Sequence, residues 1–173
     1  MIVVEVPMFE LKKLNKNAVD EALRKAERYR LLNEPGEAES ICLDVLDADP
    51  DNAEAIVMLV LALSDQFEKG IENRMERALE LLPRLSSDYE RAYYHGVISE
   101  RRAKSSMRRG TLGSGPDAYG WFVDAMQWFE KAEAVRPAHN DDAQLRWNAC
   151  ARKIMDNRHV RPRPEEPYEP ELE

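Results

Sequence analysis

Apolar residues recur along this chain at helical spacing. In three segments, "AESICLDVLDADP" (38–50), "IENRMERALELLP" (71–83) and "AMQWFEKAEAVRP" (125–137), a small or aliphatic first residue is followed four positions later by Cys42, Met75 or Phe129. Seven positions after the start stand Val45, Ala78 and Ala132. Offsets of zero, four and seven share one face of a helix. Each segment then reaches a proline at offset twelve, Pro50, Pro83 or Pro137, where a helix cannot continue. The pattern predicts three helices of one kind.

Upstream of each lies a second apolar face: Ala22, Ala26 and Tyr29, then Ile56, Leu59, Val60 and Leu63, then Ala92, Gly96 and Ser99. Small residues such as Ala26 and Gly96 let a neighbouring helix approach closely. These residues resemble the tetratricopeptide repeat, a helical hairpin of about 34 residues with an Ala-x-x-x-aromatic step and a terminal proline. The first repeat carries the match best, in Ala26, Tyr29, Ala38 and Pro50, followed by "DN". The resemblance covers residues 18 to 137 and a last helix from about 141 to 155. It departs from the family at Ile71, where a smaller residue is usual, and at Ala22, Ile56 and Ala92, where a larger aromatic is expected.

The resemblance implies an all-α fold: a short right-handed α-solenoid of about three helical hairpins closed by a C-terminal capping helix. In such proteins the first helix of each pair lines a concave surface that grips a peptide or helix of a partner. Carried over by position, that groove comprises Leu23, Glu27 and Arg30, then Val57, Leu61 and Asp65, then Tyr93, Val97 and Arg101. Some family members hold acidic C-terminal tails through Lys and Asn side chains, but Leu23, Glu27 and Met58 occupy the matching positions here. The function it implies is that of a non-enzymatic protein–protein interaction adaptor.

The domain organisation follows: an N-terminal extension (1–17), the helical domain (18–156) and a Pro/Glu-rich tail (157–173). In the last helix, Ala143, Trp147, Cys150 and Ile154 form the stripe of a cap. The third hairpin is interrupted, since Gly96 to Ala125 spans 29 positions where Ala26 to Ala38 spans 12. The insertion falls at about 101–118. Its first part extends the preceding helix through "ERRAKSSMRR" to Gly110, and Asp117 is expected to cap a helix starting at Ala118. A hairpin longer by about two turns per helix, with a flexible basic tip, is predicted.

Charge sharpens interest in that insertion. The chain's net charge is −8, which disfavours nucleic acid as a partner because phosphates demand cations. Yet "RRAKSSMRR" (101–109) holds five basic groups and no acid. Arg101, Arg102, Lys104, Arg108 and Arg109 read first as a solvated helix face near a C-terminus, where cations suit the dipole. The alternatives are docking of an acidic protein partner, or nucleic acid with Tyr119 and Trp121 as stacking groups. A regulatory subunit of an enzyme complex is a third reading. The acidic tail could also fold back toward the basic tip.

Catalytic chemistry finds no support. His95, His139 and His159 are far apart in sequence with no nucleophile in a recognisable arrangement, and "GTLGSGP" lacks the residues of a phosphate-cradling loop. Cys42 and Cys150 read as buried small hydrophobes with no partner at metal spacing. No cofactor or metal is expected. The opening "MIVVEVPMFELKK" lacks the features of a signal peptide, and no apolar run approaches the roughly 20 residues of a membrane span. A cytoplasmic protein is the expectation, with oligomeric state open.

Overall fold

The structure, a computed structural model, describes residues 9–69 and 71–164, and every regular element among them is helical. Seven α-helices follow one another: α1 Val19–Leu31, α2 Pro35–Ala48, α3 Ala53–Ser64, α4 Ile71–Leu81, α5 Asp88–Arg109, α6 Ser114–Ala134 and α7 Asp142–Asp156. The proline-ended segments are α2, α4 and α6, and the helices upstream of them are α1, α3 and α5.

Local chemistry sets the boundaries. Asn52 caps α3 by accepting from the Ala55 amide at 2.9 Å. Ser87 caps α5 by accepting from the Glu90 amide at 3.1 Å, and its hydroxyl donates to the Glu90 carboxylate at 3.0 Å. Pro35 occupies the first turn of α2, where its missing N–H costs nothing. Gly110 ends α5 in the left-handed conformation, φ 58°.

The sequence stripes form the core. Ala38, Cys42, Val45, Ala78, Ala125, Phe129 and Ala132 are all completely buried. Met75 is partly buried, and the side chain of Ile71 lies outside the described residues. Helix α3 is apolar on nearly all sides because it is surrounded: it contacts α2 and α4, its chain neighbours, and also α1 and α5. Helices α5 and α6, at 22 and 21 residues, exceed the 11 to 14 residues of α1 to α4 and make the most extensive helix pair. Their crossing is close enough that a Cβ built on Gly96 would lie 2.6 Å from the Phe129 ring.

Two features differ from the sequence expectation. Helix α6 begins at Ser114, after Gly113 at φ 85°, so Asp117 lies within its first turn rather than capping a later start. The expected basic tip is regular helix as far as Arg109, and the connection Gly110–Gly113 carries no basic residue. The glycines provide the left-handed turns there, which leaves the arginines inside α5, where helix spacing distributes them around its sides.

The segment after α7 is not a free tail in its described part. Val160 is buried among the α5–α7 core residues, and the His159 carbonyl lies against Gly115, with no room for a side chain there. Arg161 donates to the carbonyls of Ile154 (2.5 Å) and Asn157 (3.0 Å), covering acceptors left open at the end of α7. Arg163 reaches Asp117 at 3.0 Å. Packed structure thus extends beyond the boundary expected at 156. The apolar stretch 1–8 and the acidic stretch 165–173 lie outside the described residues.

Candidate functional site

Helices α1, α3 and α5 meet at a cleft of about 340 Å³, lined in part by Arg30, Ser64, Asp65, Arg101, Lys104 and Arg108. Its centre is Asp65, just past the end of α3. The Arg30 Nε of α1 donates to one carboxylate oxygen at 2.8 Å, and the Arg101 Nη1 of α5 reaches the other at 2.6 Å. Arg101 Nη1 also donates to the Leu61 carbonyl and the Ser64 hydroxyl, each at 2.7 Å. One carboxylate therefore joins three helices far apart in sequence.

Burial and charge compete at Arg101. Desolvation pushes its guanidinium pKa below the ordinary arginine value, while the Asp65 carboxylate opposes that shift. The outer rim is wetter: Arg108 Nε pairs with Glu68 at 2.7 Å, with both side chains more than half exposed.

Beneath the cleft lies a second charged layer. Glu100 is almost fully buried, pairs with Lys104 one turn on, and accepts from Arg146 Nη1 of α7 at 2.7 Å. Arg146 Nε donates to the Tyr93 hydroxyl at 2.8 Å. Burial alone would lower the pKa of Arg146, but Glu100 and Tyr93 outweigh it and hold it above the ordinary value.

The structure brings together some of the expected groove residues and not others. Arg30, Asp65 and Arg101 meet directly. Leu61 and Tyr93 are partly buried and pack on the same core cluster, Val57 is partly buried, and Glu27 is exposed on α1. Leu23 and Val97 are corrected: both are buried and offer a ligand no surface. Leu23 packs with Val19, Val45 and Ala55, and Val97 lies in the α5–α7 core. A helix wedged between neighbours has a wide buried arc, and these two fall inside it.

The basic run is likewise divided. Arg101, Lys104 and Arg108, at helical spacing, face the cleft. Arg102 lies over the Trp121 ring, 5.7 Å from its centroid, and Arg109 donates to the Ser106 hydroxyl at 3.0 Å. Trp128 stacks on His95 with centroids 3.9 Å apart. Sequence reasoning passed over Glu100, Arg146 and Ser105. An acid within "VISERRAK" and a lone arginine on α7 carried no signal, because their pairing spans 46 positions.

Cys42 and Cys150 are buried, and burial pushes each thiol up to about 12. They remain protonated and poorly nucleophilic near neutral pH. Among the described residues no group of three or more His, Cys, Asp or Glu is placed to hold a metal ion, and no helix is long and apolar enough to cross a membrane. Compared with protein-family models, curated proteins and solved structures, the chain matches none.

Proposed function

We propose that this chain is a non-enzymatic interaction adaptor, built as a short right-handed α-solenoid of the tetratricopeptide kind and binding a peptide or helix of a partner protein along α1, α3 and α5. The pairs α1/α2, α3/α4 and α5/α6 are its hairpins, with α7 as the cap. Contacts between successive first helices, α1 with α3 and α3 with α5, support that stacking. The observation that carries the functional reading is the convergence of Arg30, Asp65 and Arg101 from three separate helices at one open cleft. Val57, Leu61 and Tyr93 supply apolar surface beside it, where each anchor buried is worth roughly 1.5 to 3 kcal/mol. A cytoplasmic setting suits such an adaptor.

A nucleic-acid role for the insertion is less well supported, because its cations are divided between sides of α5, with Arg101, Lys104 and Arg108 at the cleft and Arg102 over Trp121, and form no continuous basic face. Site-specific photo-crosslinking distinguishes the surfaces. A benzophenone side chain at Glu27 or Val57 should capture a discrete protein partner, whereas one at Glu80 or Asp44, on α4 and α2, should not. Leu61→Glu should abolish capture while leaving the helical circular dichroism intact. Equal capture from both faces, or capture unaffected by Leu61→Glu, rules the groove out.

A further inference from the structure

The cleft holds more positive charge than its own acids neutralise. Arg30, Arg101, Lys104 and Arg108 line it against Asp65 and Glu68. Including the pair beneath, Glu100 with Arg146, five cations face three carboxylates, an excess of two. This excess sits in a chain whose net charge is −8, so it is a local concentration against the overall trend.

A second observation is independent of charge. Ser105 also lines the cleft, is 1% exposed, and its hydroxyl has no hydrogen-bond partner. A buried hydroxyl left unpaired is destabilising, and a serine within a helix ordinarily satisfies itself on the carbonyl one turn back. Ser64, across the cleft, shows that habit: its hydroxyl donates to the Val60 carbonyl at 2.9 Å while receiving Arg101. Ser105 thus keeps a donor in reserve beside the cations.

We propose that the cleft binds a phosphorylated side chain of the peptide partner, an assignment that rests on and extends the adaptor reading above. A phosphomonoester carries about −1.5 to −2 near neutral pH, matching the two excess charges, where a carboxylate would cancel one. Its three terminal oxygens can accept from the guanidinium forks of Arg30 and Arg101 and from Ser105. Arg101 is held in place by Leu61 and Ser64. Lys104 and Arg108, more exposed at the rim, can turn from Glu100 and Glu68 toward the ligand. Asp65 keeps the two arginines in register and, as a like charge, limits affinity for a bare anion.

The test uses the full chain, labelled with nitrogen-15 and titrated at low ionic strength with acetyl-Gly-phosphoserine-Gly-amide. The comparison probes are acetyl-Gly-Glu-Gly-amide and a short oligothymidine. The phosphopeptide should give saturable amide shifts confined to residues 30–35, 64–68 and 101–108, with affinity at least tenfold above that of the Glu peptide. Arg108→Glu should lower that affinity at least tenfold with the helical spectrum unchanged. Ser105→Ala should lower it too, without destabilising the free protein. Equal affinity for the Glu peptide, tighter binding of oligothymidine, or phosphopeptide shifts that survive both substitutions would overturn the proposal. The tripeptide has no apolar anchor, so it reads the cleft separately from the groove. Specific phosphopeptide binding without crosslinking at Val57 would reject the groove alone, and the reverse result would reject the phosphate assignment alone.

Discussion

Gly96 of α5 lies directly against the ring of Phe129 of α6, so close that a methyl group at position 96 would stand 2.6 Å from the ring. Phe129 is completely buried and cannot swing into solvent. Alanine at an ordinary helical site gains about 1 kcal/mol over glycine, whereas overpacking costs roughly 1 to 3 kcal/mol. The clash is severe enough for the second effect to win.

Gly96→Ala should therefore destabilise the protein by about 2 kcal/mol, read from the urea midpoint. In a Phe129→Leu background the same change should cost less, since Cε1 and Cζ of the ring are gone and the remaining δ-methyls can rotate away. A wild-type background that tolerates Gly96→Ala without loss would contradict the close approach.

Glu100→Gln should cost about 3 kcal/mol, the lower end for breaking a buried pair, because Lys104 and Arg146 remain partly exposed and can rehydrate. Hydrogen exchange should accelerate in α7 before α1 and α2, because Arg146 ties α7 to α5. Adding Arg146→Met should recover part of the loss, and an additive double mutant would show that the two residues are not coupled.

Val160→Ala should cost about 2 kcal/mol, from lost burial and the cavity left behind. Truncation after Asp156 should cost more than this, because it also removes Arg161 from the open carbonyls at the end of α7. Thermal melts of the two variants check both statements. A chain ending at 156 with an unchanged melting temperature would mean that the returning segment contributes nothing.

His95 should make stability depend on pH. Burial against Trp128 is the main force lowering its pKa below the ordinary value of 6.5, with Lys131 acting in the same direction and Asp124 opposing. The unfolded chain then binds this proton more readily than the folded one, so the contribution present above pH 6.5 is lost as pH falls through that value and levels off below the folded pKa. Denaturant midpoints measured from pH 7.5 downward should show this decline. His95→Gln should reduce it, and an identical slope in that variant would exclude His95 as its source.

Much of the helical layout could be read from the sequence. The stripe Ala38, Cys42 and Val45 and its counterparts on α6 needed only the 3.6-residue period, and the prolines and Gly110 supplied the stops. The length of the third hairpin followed from counting positions between Gly96 and Ala125. The sequence points to a start for α6 at Ala118, four residues too late, because Asp117 is a good cap by type, while the actual turn is made by Gly113, which has no side chain to advertise it.

What the sequence determined by itself is helix identity, because the period of apolar residues and the positions of proline and glycine act within one turn of the chain. Which side of α5 each arginine faces, the burial of Glu100 beside Arg146, the loss of Leu23 and Val97 to the core, and the return of Val160 onto α6 were decided only by the tertiary structure. These outcomes depend on which helix lies across the contact. A cation and its carboxylate on different helices leave no periodic trace in either one, so their pairing exists only once the helices have packed.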